Sequence, residues 1–162
     1  MKRVTSVSPA GQWDQHRAID RVVLDADERH RRRVALRCEN GTQVLLDFAD
    51  PATLRHGDGL VLDDGAVVEV IGRAESLVEI RAKSRDDLLR LAWHIGNRHT
   101  DVQVAGDTLR IRRDHVLEDM LRGLGATVTP VDAPFDPERG AYDKGHAHHG
   151  PHTYDHTHDH DH

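Results

Sequence analysis

After Val131 the chain contains no valine, isoleucine, leucine or methionine. Fixing the backbone of one residue costs ~1–2 kcal/mol, and a segment without aliphatic side chains has little burial to set against that. The folded part must therefore close near residue 143, and residues 144–162 are expected to form a disordered tail. About 140 residues remain to build a core, enough for one domain or two small modules.

The tail has a chemistry of its own. Eight of the fourteen histidines fall in it, at His146, His148, His149, His152, His156, His158, His160 and His162, among the aspartates 143, 155, 159 and 161. An engineered tag is usually an unbroken histidine run behind a Gly/Ser scar, whereas this spacing is irregular and the lead-in Ala141-Tyr142-Asp143-Lys144-Gly145 carries no scar. Imidazole is largely neutral at cytoplasmic pH and offers a strong nitrogen donor, so the tail reads as a collector of metal. It is not a catalytic site, because catalysis needs ligands held still. Imidazole suits nickel, zinc, copper and iron. The single cysteine, Cys38, excludes within one chain the thiolate clusters that copper(I), iron–sulfur centres and Cys-based zinc fingers require. It closes an apolar stretch and reads as a buried small hydrophobe. Ni(II), Zn(II) and Cu(II) stay open on composition alone.

A net charge of −6 gives no general attraction to nucleic acid or to anionic membrane. No apolar run approaches the ~20 residues of a membrane span. Val4-Thr5-Ser6-Val7-Ser8-Pro9 is too short and polar for a signal-peptide core. With one cysteine, these features predict a cytoplasmic protein.

The first half reads as short strands, at Arg21–Leu24, Val34–Cys38, Val44–Phe48, Leu60–Leu62 and Val67–Ile71. Turn signals at Glu39-Asn40-Gly41, Arg55–Gly59 and Asp63-Asp64-Gly65 separate them. They predict a small all-β module over residues 1–73. The pattern then changes. Leu77–Ala82 alternates as a strand. Ser84 heads a helix with Leu88, Leu89, Leu91, Ala92 and Ile95 at helical spacing and Gly96 as its C-cap. Val102–Val104 and Leu109–Arg112 form a hairpin about Ala105-Gly106-Asp107. Asp114 caps a second helix whose apolar face carries Val116, Leu117, Met120, Leu121 and Leu124, with Gly125 at its end. Ala126–Thr129 supplies a last strand. The order β-α-β-β-α-β is ferredoxin-like, so the expected class is α+β, with this second module over residues 74–143. That fold hosts many activities and does not name one.

Three histidines lie in the ordered second module. His99 falls just past the first helix, where a side chain is positioned yet accessible. Alone it is a single ligand, but near a two-fold axis it meets its own copy and becomes two. His94 lies five residues earlier, a turn and a half away, so periodicity does not set it beside His99. His115 begins the second helix, where the dipole disfavours a positive charge and so favours a ligand-competent imidazole; an ordinary exposed histidine fits as well. The run Arg29-His30-Arg31-Arg32-Arg33 lacks interleaved aromatics and is balanced by Asp25, Asp27 and Glu28, which predicts a solvated loop between strands. No phosphate-binding glycine loop or paired-cysteine zinc pattern is present, and nothing points to catalysis.

Gly96-Asn97-Arg98-His99, the stretch Asp114–Leu121, and Pro134-Phe135-Asp136-Pro137-Glu138-Arg139-Gly140-Ala141-Tyr142 running into a histidine-rich tail together resemble the UreE family of urease accessory proteins. Leu54–Leu60 resembles that family's turn in the first module. The resemblance covers essentially the whole chain. It implies a homodimeric nickel metallochaperone in which His99 of two subunits shares one ion. Its partners would be the urease accessory GTPase and, through it, the apo-urease assembly complex. Some members use a further His-x-His pair before the second helix; here the matching positions read Arg113-Asp114-His115, with only the second histidine present. Two other readings of the chain remain: a general nickel or zinc buffer working through its tail, and a chaperone-like module that binds an extended peptide along a β edge of residues 1–73.

Overall fold

The computed structural model describes residues 1–140. The tail histidines His146 to His162, and the disorder expected of them, lie outside the described residues. Six strands build the first sheet: β1 (Lys2–Ser8), β2 (Ala18–Leu24), β3 (His30–Arg37), β4 (Gln43–Thr53), β5 (Gly59–Leu62) and β6 (Val67–Gly72). Their spatial order is β2-β6-β5-β1-β4-β3, with β1 parallel to β4 and β2 parallel to β6. The two ends of the sheet curl toward each other. Glu39 donates its N–H to the Arg21 carbonyl at 2.9 Å. The Asp20 carboxylate accepts from the N–H groups of Asn40 at 3.0 Å and Thr42 at 3.2 Å. Val44, Leu46, Leu60, Leu62, Val68 and Val70 fill the space inside the curl, each at most 1% exposed. Cys38 is buried with them, as its apolar flank predicts.

Two expectations for this region need correcting. Residues Lys2–Ser8 form a strand that the sequence did not declare, because Val4 is its one fully buried side chain. The basic run is not a solvated loop either. Arg29 is 2% exposed, and His30–Arg33 open β3, an edge strand whose arginines point outward while Val34 and Leu36 pack inward.

The second sheet contains β7 (Ala74–Arg81), β8 (Gln103–Ala105), β9 (Thr108–Arg112) and β10 (Thr127–Pro134), all antiparallel, in the order β10-β7-β9-β8. With α1 (Arg85–Asn97) and α2 (His115–Gly123) this is the expected ferredoxin-like arrangement. Val78 and Ile80 of β7 and Leu109 and Ile111 of β9 lie two residues apart on their strands, so each pair faces one side of the sheet. Leu91 and Ile95 of α1 and Leu117 and Leu121 of α2 pack on that side. Ser84 caps α1 by accepting the Asp87 N–H at 3.1 Å. Asp114 caps α2 by accepting the Leu117 N–H at 3.0 Å.

Leu77 points to the opposite side of β7, where it packs with Ala26 of the first module and with Phe135, both at most 1% exposed. A buried guanidinium completes this joint. Arg29 donates through Nε to the Leu24 carbonyl at 3.3 Å, and through Nη1 to the Leu54 carbonyl at 3.2 Å and the Asp136 carboxylate at 2.6 Å. Its Nη2 donates to the Phe135 carbonyl. Arg112 lies over the Phe135 ring, 4.8 Å from its centroid, and reaches Glu75, Asp101 and Asp27. At Gly72 the chain passes so close to Pro134 that an added Cβ would lie 2.8 Å from the proline's own. The two modules are therefore joined by close packing and by charge-assisted hydrogen bonds.

Candidate metal centre

The first helix runs past the residue expected to end it. Gly96 lies inside α1, Arg98 is the C-cap, and the left-handed turn falls on His99, with φ +53°. The His99 N–H donates to the Gly96 carbonyl at 3.1 Å. Glycine normally takes this position just beyond a helix. Among the described residues His99 is the one non-glycine with positive φ, at a cost of about 1–3 kcal/mol. The imidazole stands exposed at the helix end.

The other two histidines are placed differently. His94 is half-buried, its ring edge-on to Trp93 with centroids 5.0 Å apart. His115 is the first residue of α2 and is exposed. Arg113, which occupies the other position of the His-x-His pattern, is paired with the buried Glu118 at 3.2 Å. Glu118 also accepts the Asp114 N–H at 2.8 Å, so this segment is committed to starting α2. Among the described residues no three or more His, Cys, Asp or Glu side chains gather into a group able to hold an ion.

The outer faces of the two helices carry exposed apolar side chains. Leu89 and Trp93, four residues apart on one face of α1, are 60% and 65% exposed, and on α2 Val116 is 69% and Leu124 46% exposed. Leu89, Val116 and Leu124 were expected in the core. They instead lie on faces turned away from the sheet, which Leu91, Ile95, Leu117 and Leu121 cover. The exposed stripe on α1 was legible as a second apolar register, Leu89 and Trp93, offset from Leu88, Leu91, Ala92 and Ile95.

The family model for the N-terminal domain of the UreE urease accessory protein matches residues 4–72, and that for its C-terminal domain matches residues 75–162. The chain belongs to the UreE urease accessory protein family. It is similar to the urease accessory protein UreE of Chelativorans sp. (strain BNC1), 51% identical over 159 residues that cover 96% of this chain and 98% of that protein. It is 53% identical over 142 residues to UreE of Rhodopseudomonas palustris (strain BisB18), covering 88% of this chain and 67% of the relative. UreE of Rhizobium leguminosarum bv. trifolii (strain WSM2304) is 48% identical over 155 residues, covering 96% of this chain and 78% of the relative. The family matches cover both sheets, so the resemblance carried by Gly96–His99 and the residues after Pro134 holds for the whole chain.

Proposed function

We propose that this chain is a nickel chaperone of urease maturation, with its transfer site at a two-fold axis where His99 of two copies shares one Ni(II) ion. As a UreE family member it is an accessory protein and not an enzyme. The observation that carries the site is His99 itself, an exposed imidazole in a backbone conformation that glycine would adopt at less cost. Strain is retained there because the side chain is wanted. The exposed Leu89, Trp93, Val116 and Leu124 supply apolar surface for a second copy. One described chain offers no group of three ligands, and a symmetric pair doubles what it offers.

The tail histidines, His146 to His162, collect ions and supply further ligands to that site by multivalency. Histidine ligation exchanges readily, which suits transfer rather than storage. His115 and His94 are secondary candidates. His115 lacks its partner, since Arg113 is held by Glu118, and His94 is half-buried against Trp93. The receiving partners are the urease accessory GTPase and the apo-urease assembly complex in the cytoplasm. Zn(II) and Cu(II) compete for the same imidazoles. No helix among the described residues is long and apolar enough to cross a membrane.

Calorimetric titration of nickel into a chain ending at Tyr142 tests the site. The expected result is one ion per two chains. His99→Ala should weaken binding by more than the roughly 10–100-fold that losing a merely supporting residue costs. Unchanged affinity in the His99→Ala chain would remove His99 from the site.

A further inference from the structure

We propose that the free edge of β8, with the groove between it and the start of α1, binds an extended segment of a partner protein. That segment presents an aliphatic side chain with carboxylates two residues to either side. The groove lies at the opposite end of α1 from His99, about 18 Å away along the helix axis, so the inference does not rest on the nickel reading.

β8 is an edge strand, paired only with β9. Ala105 and Thr108 close the hairpin around Gly106 and Asp107, with Gly106 at φ +64°. In a two-residue hairpin the closing pair exchanges both backbone bonds and the next pair exchanges none. That next pair is Val104 and Leu109, so the Val104 N–H and carbonyl point away from the sheet. No other described group bonds to them. Two residues back, the Val102 carbonyl accepts the Glu138 N–H at 2.8 Å. The same edge thus already takes one backbone bond from a crossing segment, and the next position along it is open.

The side chains beside that open position complete the site. Val104 shares the helix face of the sheet with its partner Leu109 and is 56% exposed. It forms one wall of a groove of about 670 Å³ whose other apolar surface comes from Ala82, Leu88 and Leu89. Lys83 and Arg85 also line the groove, and no described carboxylate pairs with either. Asp107, the acidic residue of the lining, lies 3.9 Å from the Arg81 guanidinium. In a chain of net charge −6, this groove is locally cationic as well as apolar. A segment laid along β8 turns alternate side chains to the helix face. An aliphatic residue there reaches Ala82, Leu88 and Leu89, and a carboxylate two residues away meets Lys83 and Arg85. Binding of this kind draws affinity from main-chain bonds and specificity from pockets for alternate side chains. A second copy paired edge to edge does not answer this chemistry, because Gln103-Val104-Ala105 carries no carboxylate.

The test is fluorescence anisotropy of the full chain with the labelled heptapeptide Thr-Glu-Thr-Leu-Thr-Glu-Thr. Saturable binding below about 1 mM is expected, and about tenfold weaker binding of the same peptide with lysine in place of glutamate. Lys83 and Arg85 are exposed, so Lys83→Glu combined with Arg85→Glu should spare the fold and reverse that preference. Val104→Pro removes an outward N–H that β9 does not use, at an edge position where proline is tolerated. It should weaken binding about fivefold with the urea midpoint unchanged. Absence of saturable binding, equal affinity for the two peptides, or full affinity in the charge-reversed chain would overturn the proposal. Full affinity in a folded Val104→Pro chain would do the same; if that variant does not fold, the charge-reversed chain decides. A shift of either variant to a smaller species in sedimentation velocity would assign the groove to a second copy and also overturn the proposal. His99→Ala should leave peptide binding unchanged, so a failure here and a failure of the nickel site are read separately.

Discussion

Arg29 and Asp136, 107 residues apart in sequence, meet at 2.6 Å across the boundary between the two modules. Arg29 is 2% exposed, while the Asp136 side chain keeps 24% of its surface in solvent. Removing the guanidinium would take the donor from the Leu54 and Phe135 carbonyls and from the carboxylate, while the Leu24 carbonyl would keep the Arg73 N–H at 2.8 Å. Breaking a buried pair from one side typically costs about 3–5 kcal/mol. Arg29→Met should therefore lower the urea midpoint by an amount equivalent to that range. A fall within about 0.5 kcal/mol, the usual effect of a surface substitution, would mean that the joint contributes little to stability.

The exposed apolar face of α1 makes a separate prediction about assembly. Trp93 is 65% exposed in a single copy, so replacing it should spare the fold. At the centre of an interface a tryptophan commonly contributes 2 kcal/mol or more. Trp93→Glu is expected to weaken self-association by about thirtyfold or more, seen as a shift to monomer in sedimentation velocity at micromolar concentration. Its circular dichroism should match the parent. A variant that stays dimeric at the same concentrations would place the two-fold interface elsewhere.

Much of this fold was legible because its signals are local. The Ser84 and Asp114 caps bond to residues three positions on, and the buried face of each helix follows a single period. Other features were hidden for physical reasons. β1 reads as polar because its alternation has one fully buried member, Val4. The arginines of β3 disguise a strand as a loop, since an edge strand can carry charge along its whole outer face. The role of Arg29 depends on Asp136, and no pattern in a window of ten or twenty residues can report a contact so distant in sequence. At the site, sequence placed His99 past the helix end, but its left-handed backbone could not be read while Gly96 offered a simpler cap.

Imidazole nitrogens bind metal only when neutral, so proton competition should govern nickel affinity at the shared site. In a chain ending at Tyr142, binding is expected to be flat from pH 8 to 7. It should weaken as protons compete for the imidazoles at lower pH, with a slope approaching about two log units per pH unit if two histidines must lose protons. Competition titrations against a chelator of known pH dependence would give that slope. An affinity constant down to pH 5.5 would indicate carboxylate ligands and argue against His99.

The carboxylate of Asp20 predicts how the first module responds to acid. Burial works to raise its pKa. The Asn40 N–H, the Thr42 side chain and the N–H groups of Arg21 and Thr42 outweigh burial and hold it below the ordinary 3.8. A depressed carboxyl stabilises the fold above its unfolded value, and that stability is lost as pH falls through the folded value. Asp20→Asn removes the charge but keeps one oxygen, leaving a buried set of N–H donors short of an acceptor, at about 1–3 kcal/mol. The variant should be less stable at pH 7, and the difference from the parent should shrink as pH falls below ~4. Cys38 reports the same region. Burial, with the Asp20 charge adding to it, pushes its thiol up to about 11. In the parent a thiol reagent at pH 8 should therefore react only as fast as this end of the sheet opens. In Asp20→Asn, which loosens the turn after β3 and removes the nearby charge, the reaction should be faster. Equal rates in the two proteins would mean that Asp20 does not hold that turn closed.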